Sequence, residues 1–159
     1  MAKRLYRITV LVLAISFIAG YANANATEAT MPNKPENQVT GTVVRFTAGS
    51  TSVDVTIDQD SPAARDFLSM LPFTLTLEEF NGKEKIGNLP RKLKYRGSPG
   101  SDPEDGDLIY FVPWGNLGFY YNAIGIGYSD QTIHLGTYQA SPEKLEQLEG
   151  QSITVEVAY

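Results

Sequence analysis

The chain contains no cysteine in its 159 residues and only one histidine, His134. Without cysteine there are neither disulfides nor a lipoprotein anchor, so a secreted form of this chain is held together by its buried core alone. A single histidine argues against a transition-metal site. The acidic residues Asp102, Glu104, Asp105 and Asp107 lack the spacing of a calcium-binding loop. We therefore predict no metal and no other cofactor.

Several further signatures are missing. The sequence has no Gly-x-Ser-x-Gly elbow for a serine nucleophile and no glycine-rich phosphate loop between a strand and a helix. It also has no basic run or stripe. Once the three basic residues of the N-terminus are removed, 10 basic residues face 18 acidic ones, a net charge of −8. Nucleic acid is therefore not an expected partner.

The N-terminus has the pattern of a secretory signal peptide. A positive region with Lys3, Arg4 and Arg7 precedes an apolar run over residues 8–19, and small-x-small cleavage motifs follow up to Ala26. An uncleaved membrane anchor is the alternative. We predict a signal peptide over residues 1–26, a flexible leader over 27–38 and one domain over 39–159. The mature protein is then periplasmic or secreted, with no membrane contact after cleavage.

Most of the remaining chain alternates apolar and polar residues, a pattern typical of strands with one buried face. We predict strands over Val39–Thr47, Ser52–Ile57, Phe73–Leu77, Thr132–Tyr138 and Ile153–Val157. Asn81-Gly82 is a strong hairpin signal and should return the chain towards Ile86 and Leu89. Residues 97–106 form a loop by composition.

Two short helices are predicted from their Ser-Pro beginnings. The first begins at a cap on Asp60 or Ser61 and stops at Pro72. Its apolar residues fall at helical spacing: Ala64, Phe67, Leu68 and Leu71. The second begins at Ser141 and is ended by Gly150. One core with these elements predicts a mainly β barrel, with a helix capping each open end. A closed barrel has no free sheet edge to pair with another chain, so we predict a monomer.

The segment GDLIYFVPWGNLGFYY, residues 106–121, is rich in aromatic residues and nearly free of charge. It predicts two strands that meet at a bend near Pro113, where Gly115 and Asn116 tolerate left-handed backbone. Trp114, the only tryptophan, lies at this corner. It either forms the wall of a ligand pocket or plugs the end of the barrel.

Four segments together resemble the bacterial and archaeal cyclophilin-like family of small β-barrels. They are DSPAARDFLSMLP (Asp60–Pro72), LTLEEFNGKEKIGNLPRKL (Leu75–Leu93), GDLIYFVPWGNLGFYY and HLG (His134–Gly136). The resemblance covers roughly residues 42–158. It implies a closed eight-stranded barrel with a helix over each end, the fold of the peptidyl-prolyl isomerase cyclophilins.

The resemblance to cyclophilins also implies candidate catalytic residues. Their active groove uses an arginine to polarise the amide before an X–Pro bond and a glutamine to hold the substrate backbone. Arg91, in LPRKL, matches the arginine, and Asn116 stands near the glutamine. Leu117, Gly118 and Phe119 occupy the place of the aromatic proline pocket, which is therefore rebuilt or lost.

The other candidates are ligand-binding residues. Tyr110, Trp114 and Phe119 are expected to wall a groove together with Arg91, and His134 stands two residues after Thr132, which replaces a cyclophilin histidine. Two alternatives remain open. His134 is also explained as a structural histidine of an apolar strand. Arg91 is also explained by cross-strand charge pairing on a solvated hairpin, among several lysines and glutamates.

Three functions follow from these residues. The first is a module that binds a peptide or small molecule in the groove near Arg91, Trp114 and Asn116, without efficient isomerase activity. The second is an atypical peptidyl-prolyl isomerase with Arg91 as the electrophile. The third is a structural domain whose aromatic residues are all core. We favour the first because the proline-pocket residues are the ones that differ.

Overall fold

The computed structural model describes residues 38–159. The predicted signal peptide (1–26) and leader, apart from Gln38, lie outside the described residues. Nine strands and two helices follow in chain order: β1 (Val43–Ala48), β2 (Thr51–Ile57), α1 (Pro62–Leu68), β3 (Phe73–Leu75), β4 (Leu77–Phe80), β5 (Glu84–Asn88), β6 (Asp107–Phe111), β7 (Asn116–Tyr120), β8 (Thr132–Tyr138), α2 (Pro142–Glu146) and β9 (Ile153–Val157). Within this part of the chain, no helix has the length and apolarity needed to cross a bilayer.

All nine strands form one antiparallel sheet in the order β3-β9-β1-β2-β8-β6-β7-β5-β4. Its two outermost strands, β3 and β4, are separated in sequence by Thr76 alone. One bent segment, residues 73–80, therefore pairs with β9 through its first half and with β5 through its second, and the sheet curls into a nearly closed barrel. Counted as one strand, β3 and β4 give the predicted eight. The mainly β barrel with two helices is confirmed.

The inner face of the barrel is packed with aliphatic and aromatic side chains. Phe46 and Phe119 meet edge to face, with ring centroids 4.9 Å apart, and Tyr138 contacts Phe119 from the other side at 5.3 Å. The predicted inward residues of β2 are all buried: Val53, Val55 and Ile57. Such interdigitated rings supply much of the burial that a domain without disulfides needs.

Both helices begin as predicted but end earlier. The Ser61 hydroxyl accepts the Ala64 N–H at the start of α1, and Ser141 accepts that of Lys144 at the start of α2. Helix α1 ends at Leu68 rather than Leu71, and α2 ends at Glu146 rather than at Gly150. The buried residues of α1 are Ala63, Ala64 and Phe67. Leu145 of α2 and Leu148 beyond it are also buried.

Three other predicted boundaries differ from the structure. The first strand begins at Val43 rather than Val39, because Gly41 adopts a left-handed φ of 84° in the preceding turn. The strand expected over Phe73–Leu77 breaks at Thr76. Asn116 was expected in the corner of the aromatic segment. It is instead the first residue of β7, and Gly115 alone carries the left-handed conformation there, with φ 74°.

Two long connections run back along the barrel. Strands β5 and β6 both pair antiparallel with β7, and β7 and β8 both pair antiparallel with β6, so residues 89–106 and 121–131 must each return to the starting end. The two connections pair with each other at Ser101 and Ser129. Beside them, Ile109 is buried although it lies outside the barrel core. The outer face of this part of the sheet is therefore partly covered.

Candidate functional site

An aromatic cluster occupies the outer face of the sheet. Trp114, in the turn between β6 and β7, contacts Phe80 of β4 and Phe111 of β6 edge to face, with ring centroids 5.1 and 5.5 Å away. In the sheet, β5 and β7 lie between those two strands. The indole therefore lies across the outer face of β5 and β7. We call these three residues the aromatic platform.

The platform is ordered and open. Each phenylalanine ring stands nearly perpendicular to the indole, at 86° and 90°, which is the favourable arrangement for aromatic pairs. Trp114 nevertheless remains 54% exposed. This exposure excludes the interpretation that Trp114 plugs the end of the barrel. A large apolar ring held in place and half open to water has the character of a binding-site wall.

Polar groups surround the platform. Asn116 is buried and pairs across the sheet with Phe111 on one side and Asn88 on the other. The stem of Lys92 packs against Gly115, next to Trp114, where a Cβ would come within 2.9 Å of the lysine Cγ. A cavity of about 240 Å³ opens on β4 and β5, lined by Thr76, Glu78, Ile86, Gly87 and Asn88. The outer face thus combines an apolar ring with a few polar groups and a small concavity.

A buried acid lies in the same part of the sheet. Glu84 of β5 stands directly opposite Phe80 of the platform and Tyr120 of β7. Its carboxylate occupies the space above Gly118, where a Cβ would lie 2.0 Å from Oε2. Burial raises the pKa of Glu84 to about 7, even though a hydrogen bond from Tyr120 lowers it in part. The same burial, with Glu84 beside it, raises the pKa of Tyr120 to about 12.

Two predicted ligand-binding residues lie inside the barrel. Tyr110 is fully buried, and its hydroxyl accepts the Leu93 N–H at 3.2 Å. Phe119 is fully buried against Phe46 and Tyr138. Adjacent residues of a strand point to opposite faces. Tyr110 and Phe119 therefore support the platform from beneath the sheet, while Asn116 and Trp114 share its outer side.

Arg91 is held by helix α1. Both Nη atoms hydrogen-bond the carboxylate of Asp66, with Nη2 to Oδ1 at 3.1 Å, and the Lys94 N–H donates to the same carboxylate at 2.9 Å. The hydrogen bond from Arg91 lowers the pKa of Asp66, although burial of the carboxyl opposes this. Charge pairing of Arg91 is thus observed, with a helix residue as its partner rather than a hairpin glutamate. Nor is the hairpin fully solvated, because Lys85 and Glu84 are buried.

His134 bridges two carboxylates on the far side of the same face. Its Nε2 lies 2.8 Å from Asp58 Oδ1 and its Nδ1 lies 3.4 Å from Asp107 Oδ2. Burial lowers the pKa of His134, but the hydrogen bonds and charges of Asp107 and Asp58 outweigh it, so the pKa is raised. In strand β8, His134 pairs with Ile109 rather than with a platform residue. It therefore stands apart from Trp114.

Among residues 38–159, there is no group of three or more His, Cys, Asp or Glu side chains arranged so that it could hold a metal ion.

Sequence reasoning missed two contributors to this face, Phe80 and Glu84. Phe80 lies in the predicted hairpin, and its contact with Trp114 depends on strand order rather than on sequence distance. Glu84 was grouped with solvated charges. The signal available in the sequence is Gly118 itself, because a glycine inside a strand marks a close approach, here by the Glu84 carboxylate.

The sequence profile of the cyclophilin-like family matches residues 46–158. The chain belongs to this family. Among solved structures, the chain is similar to the solution structure of the hypothetical protein AF2241 from Archaeoglobus fulgidus, with 18% identity and a TM-score of 0.58. The match covers 78% of this chain and 100% of the archaeal one. A search of curated proteins finds no match.

The cyclophilin-like match runs from within β1 to the end of β9 and so includes every platform residue. At this level of identity the archaeal structure shows the fold alone. Membership in the cyclophilin-like family therefore accounts for the barrel, and the role of the outer face has to be argued from its own geometry.

Proposed function

We propose that this protein is a binding module that holds a peptide or small molecule against the aromatic platform. The observation that carries the proposal is Trp114, which is 54% exposed yet fixed by two perpendicular phenylalanine rings. A preorganised aromatic surface binds a ring or an apolar side chain with little loss of conformational entropy. Asn116, Lys92 and the cavity beside β4 supply polar contacts around it.

The state of Arg91 favours binding over isomerisation. An isomerase of the cyclophilin type needs a guanidinium that is free to polarise the substrate amide. In this barrel both Nη atoms of Arg91 already bond Asp66. An arginine engaged in this way would have to exchange an ionic partner for a neutral amide. An atypical peptidyl-prolyl isomerase that uses Arg91 and Asn116 is therefore the second candidate.

Titration of the ¹⁵N-labelled full chain with short proline-containing peptides tests the binding function. We expect shifts of the Trp114 indole resonance and of the β5 and β7 amides, and loss of the amide shifts in Trp114→Ala. Tyr128→Ala is the matched control, since Tyr128 is a comparably exposed aromatic residue outside the platform. Shifts that survive in Trp114→Ala, or that vanish equally in Tyr128→Ala, would contradict the proposal.

Exchange NMR on a Xaa-Pro peptide separates the two candidates. Broadening of the peptide signals without faster cis–trans exchange supports the binding module. Faster exchange that is lost in Arg91→Ala supports the isomerase. Arg65→Ala is the control, because Arg65 forms an exposed ion pair with Asp60 beside the same helix. If the peptide shows no broadening and no acceleration of exchange, the platform has no role in peptide binding.

We further propose that the barrel is exported from the cytoplasm. The support is the charged and apolar pattern of residues 1–26, followed by small residues up to Ala26. N-terminal sequencing of the exported chain tests this, with Thr27 as the expected first residue. An N-terminus that retains Lys3 and Arg4 would contradict cleavage.

A further inference from the structure

The positive charge of the barrel is concentrated in one short segment. Residues 38–159 contain nine lysines and arginines, and four of them fall within residues 91–96, RKLKYR. Arg91 is neutralised by Asp66. Lys94 and Arg96 line a common pocket, and neither side chain forms an ion pair with another described residue. An acidic protein thus presents two unpaired cations together at one place.

The pocket between these cations has an apolar lining. It is an open depression of about 400 Å³, lined by Pro62, Leu93, Lys94, Tyr95 and Arg96. Leu93 is buried and Tyr95 is half-buried, with its ring 6.2 Å from that of Tyr110. This volume falls in the range of small-molecule sites, which are mostly apolar with a few polar groups.

The pocket is also built in advance, because its wall is fastened at three points. The Leu93 N–H donates to the Tyr110 hydroxyl, and the Lys94 N–H donates to Asp66 of α1 at 2.9 Å. At the other end, the Ser98 hydroxyl accepts the Ala63 N–H at 2.9 Å. A wall fixed to the core and to a helix does not need to be ordered by its ligand.

We propose that this pocket binds an amphiphilic anion, with an apolar chain or ring against Pro62 and Leu93 and the anionic head between Lys94 and Arg96. A carboxylate or phosphate head would form ion pairs with Lys94 and Arg96, which have none with other described residues. This site is separate from the aromatic platform, and it does not depend on the function proposed for Trp114.

Octanoate is the probe. 1-Octanol, which has the apolar chain without the charge, and acetate, which has the charge without the chain, are its controls. Titrated into the ¹⁵N-labelled full chain, octanoate is expected to shift the amides of residues 93–96 and to bind at least about tenfold more tightly than either control, because the head gains charge-assisted hydrogen bonds. Raising the ionic strength should weaken octanoate binding.

Paired double variants test the role of the two cations. Lys94→Ala with Arg96→Ala should weaken octanoate binding by about tenfold or more. Arg65→Ala with Lys144→Ala removes the same charge elsewhere and should leave binding unchanged. Octanol binding equal to octanoate, or equal losses in the two double variants, would overturn the proposal. So would octanoate shifts that disappear in Trp114→Ala, since they would assign the probe to the platform.

Discussion

Gly118 and Glu84 show how a single missing side chain can create a chemical environment. The acid lies on the outer face of a strand, where carboxylates are usually hydrated, yet it is buried in the space that Gly118 leaves open. Burial favours the neutral form of a carboxyl, because the charged form would lose its hydration. The pair therefore sets both the packing and the protonation of this face.

Gly118→Ala should destabilise the fold by about 1–3 kcal/mol, since the new methyl would overlap the Glu84 carboxylate, and packing an extra group costs this much in other cores. Urea denaturation measures the change in the free energy of unfolding. Glu84→Ala supplies the second arm of a double-mutant cycle and should relieve most of the cost of Gly118→Ala. Purely additive losses would show that the two residues do not compete for space.

Glu84→Gln should change how stability depends on pH. A carboxyl with a pKa of about 7 when folded, against 4.5 in its ordinary state, binds its proton more tightly in the folded chain. Its contribution is fully present below pH 4.5 and is lost as the pH rises from there to about 7. Relative to the wild type, the glutamine variant should therefore gain stability over this window and show no further gain above it. The groups that act on Glu84 are Tyr120 and Glu79. A difference that stays constant with pH would contradict the burial of this acid.

At the scale of elements, the hairpin between β4 and β5 depends on two left-handed residues. Asn81 and Gly82 have φ angles of 56° and 65°, the conformation that the Asn-Gly pair predicts. The Gly82 N–H also donates to Glu79 at 2.7 Å, which fixes the turn to the strand. This turn aligns Glu84 with Phe80 and so positions the acid beside the platform.

Gly82→Ala should cost about 1 kcal/mol in the free energy of unfolding, because a Cβ disfavours left-handed backbone by this amount. Gly82→Asn is the control, since asparagine tolerates this conformation better. Thermal or urea unfolding of both variants measures the difference. If alanine and asparagine are equally tolerated, the turn contributes nothing through its backbone conformation.

The elements that could be predicted from sequence are those encoded by neighbouring residues. Alternation in β2 and β9, the Ser-Pro beginnings of the helices and the Asn-Gly turn all act over a few positions, and all appear in the structure. The partners of Trp114 and Arg91 could not be predicted in the same way. Strand order brings Phe80 to Trp114, and Asp66, the partner of Arg91, lies on a helix 25 residues away in sequence. Neither contact leaves a local pattern in the sequence.

At the scale of the whole molecule, a buried lysine joins three elements where the barrel closes. Lys85 of β5 has a side chain that is only 4% exposed, and its Nζ lies 2.7 Å from Glu79 of β4 and 2.6 Å from Glu149 beyond α2. The Tyr121 hydroxyl donates to Glu79 from the neighbouring connection. A buried ammonium is tolerated only when it is paired. The network therefore depends on at least one of the two carboxylates.

Glu79→Gln and Glu149→Gln should each cost little alone, since the other carboxylate still faces Lys85. Together they should cost roughly 3–5 kcal/mol, because the ammonium is then buried without a counter-charge. Chemical denaturation of the two single variants and the double variant measures this excess. A double loss equal to the sum of the single losses would show that Lys85 does not need either partner specifically.

The segment that closes the barrel, residues 73–80, also constrains the order in which the strands can pair during folding. The last strand, β9, lies between β1 and β3, two elements from the first half of the chain. A chain that emerges N-terminus first can pair β1 with β2, but one edge of β1 and the whole of β3 lack a partner until β9 arrives. The barrel therefore cannot be finished piece by piece during synthesis, and its closure waits until β9 is available.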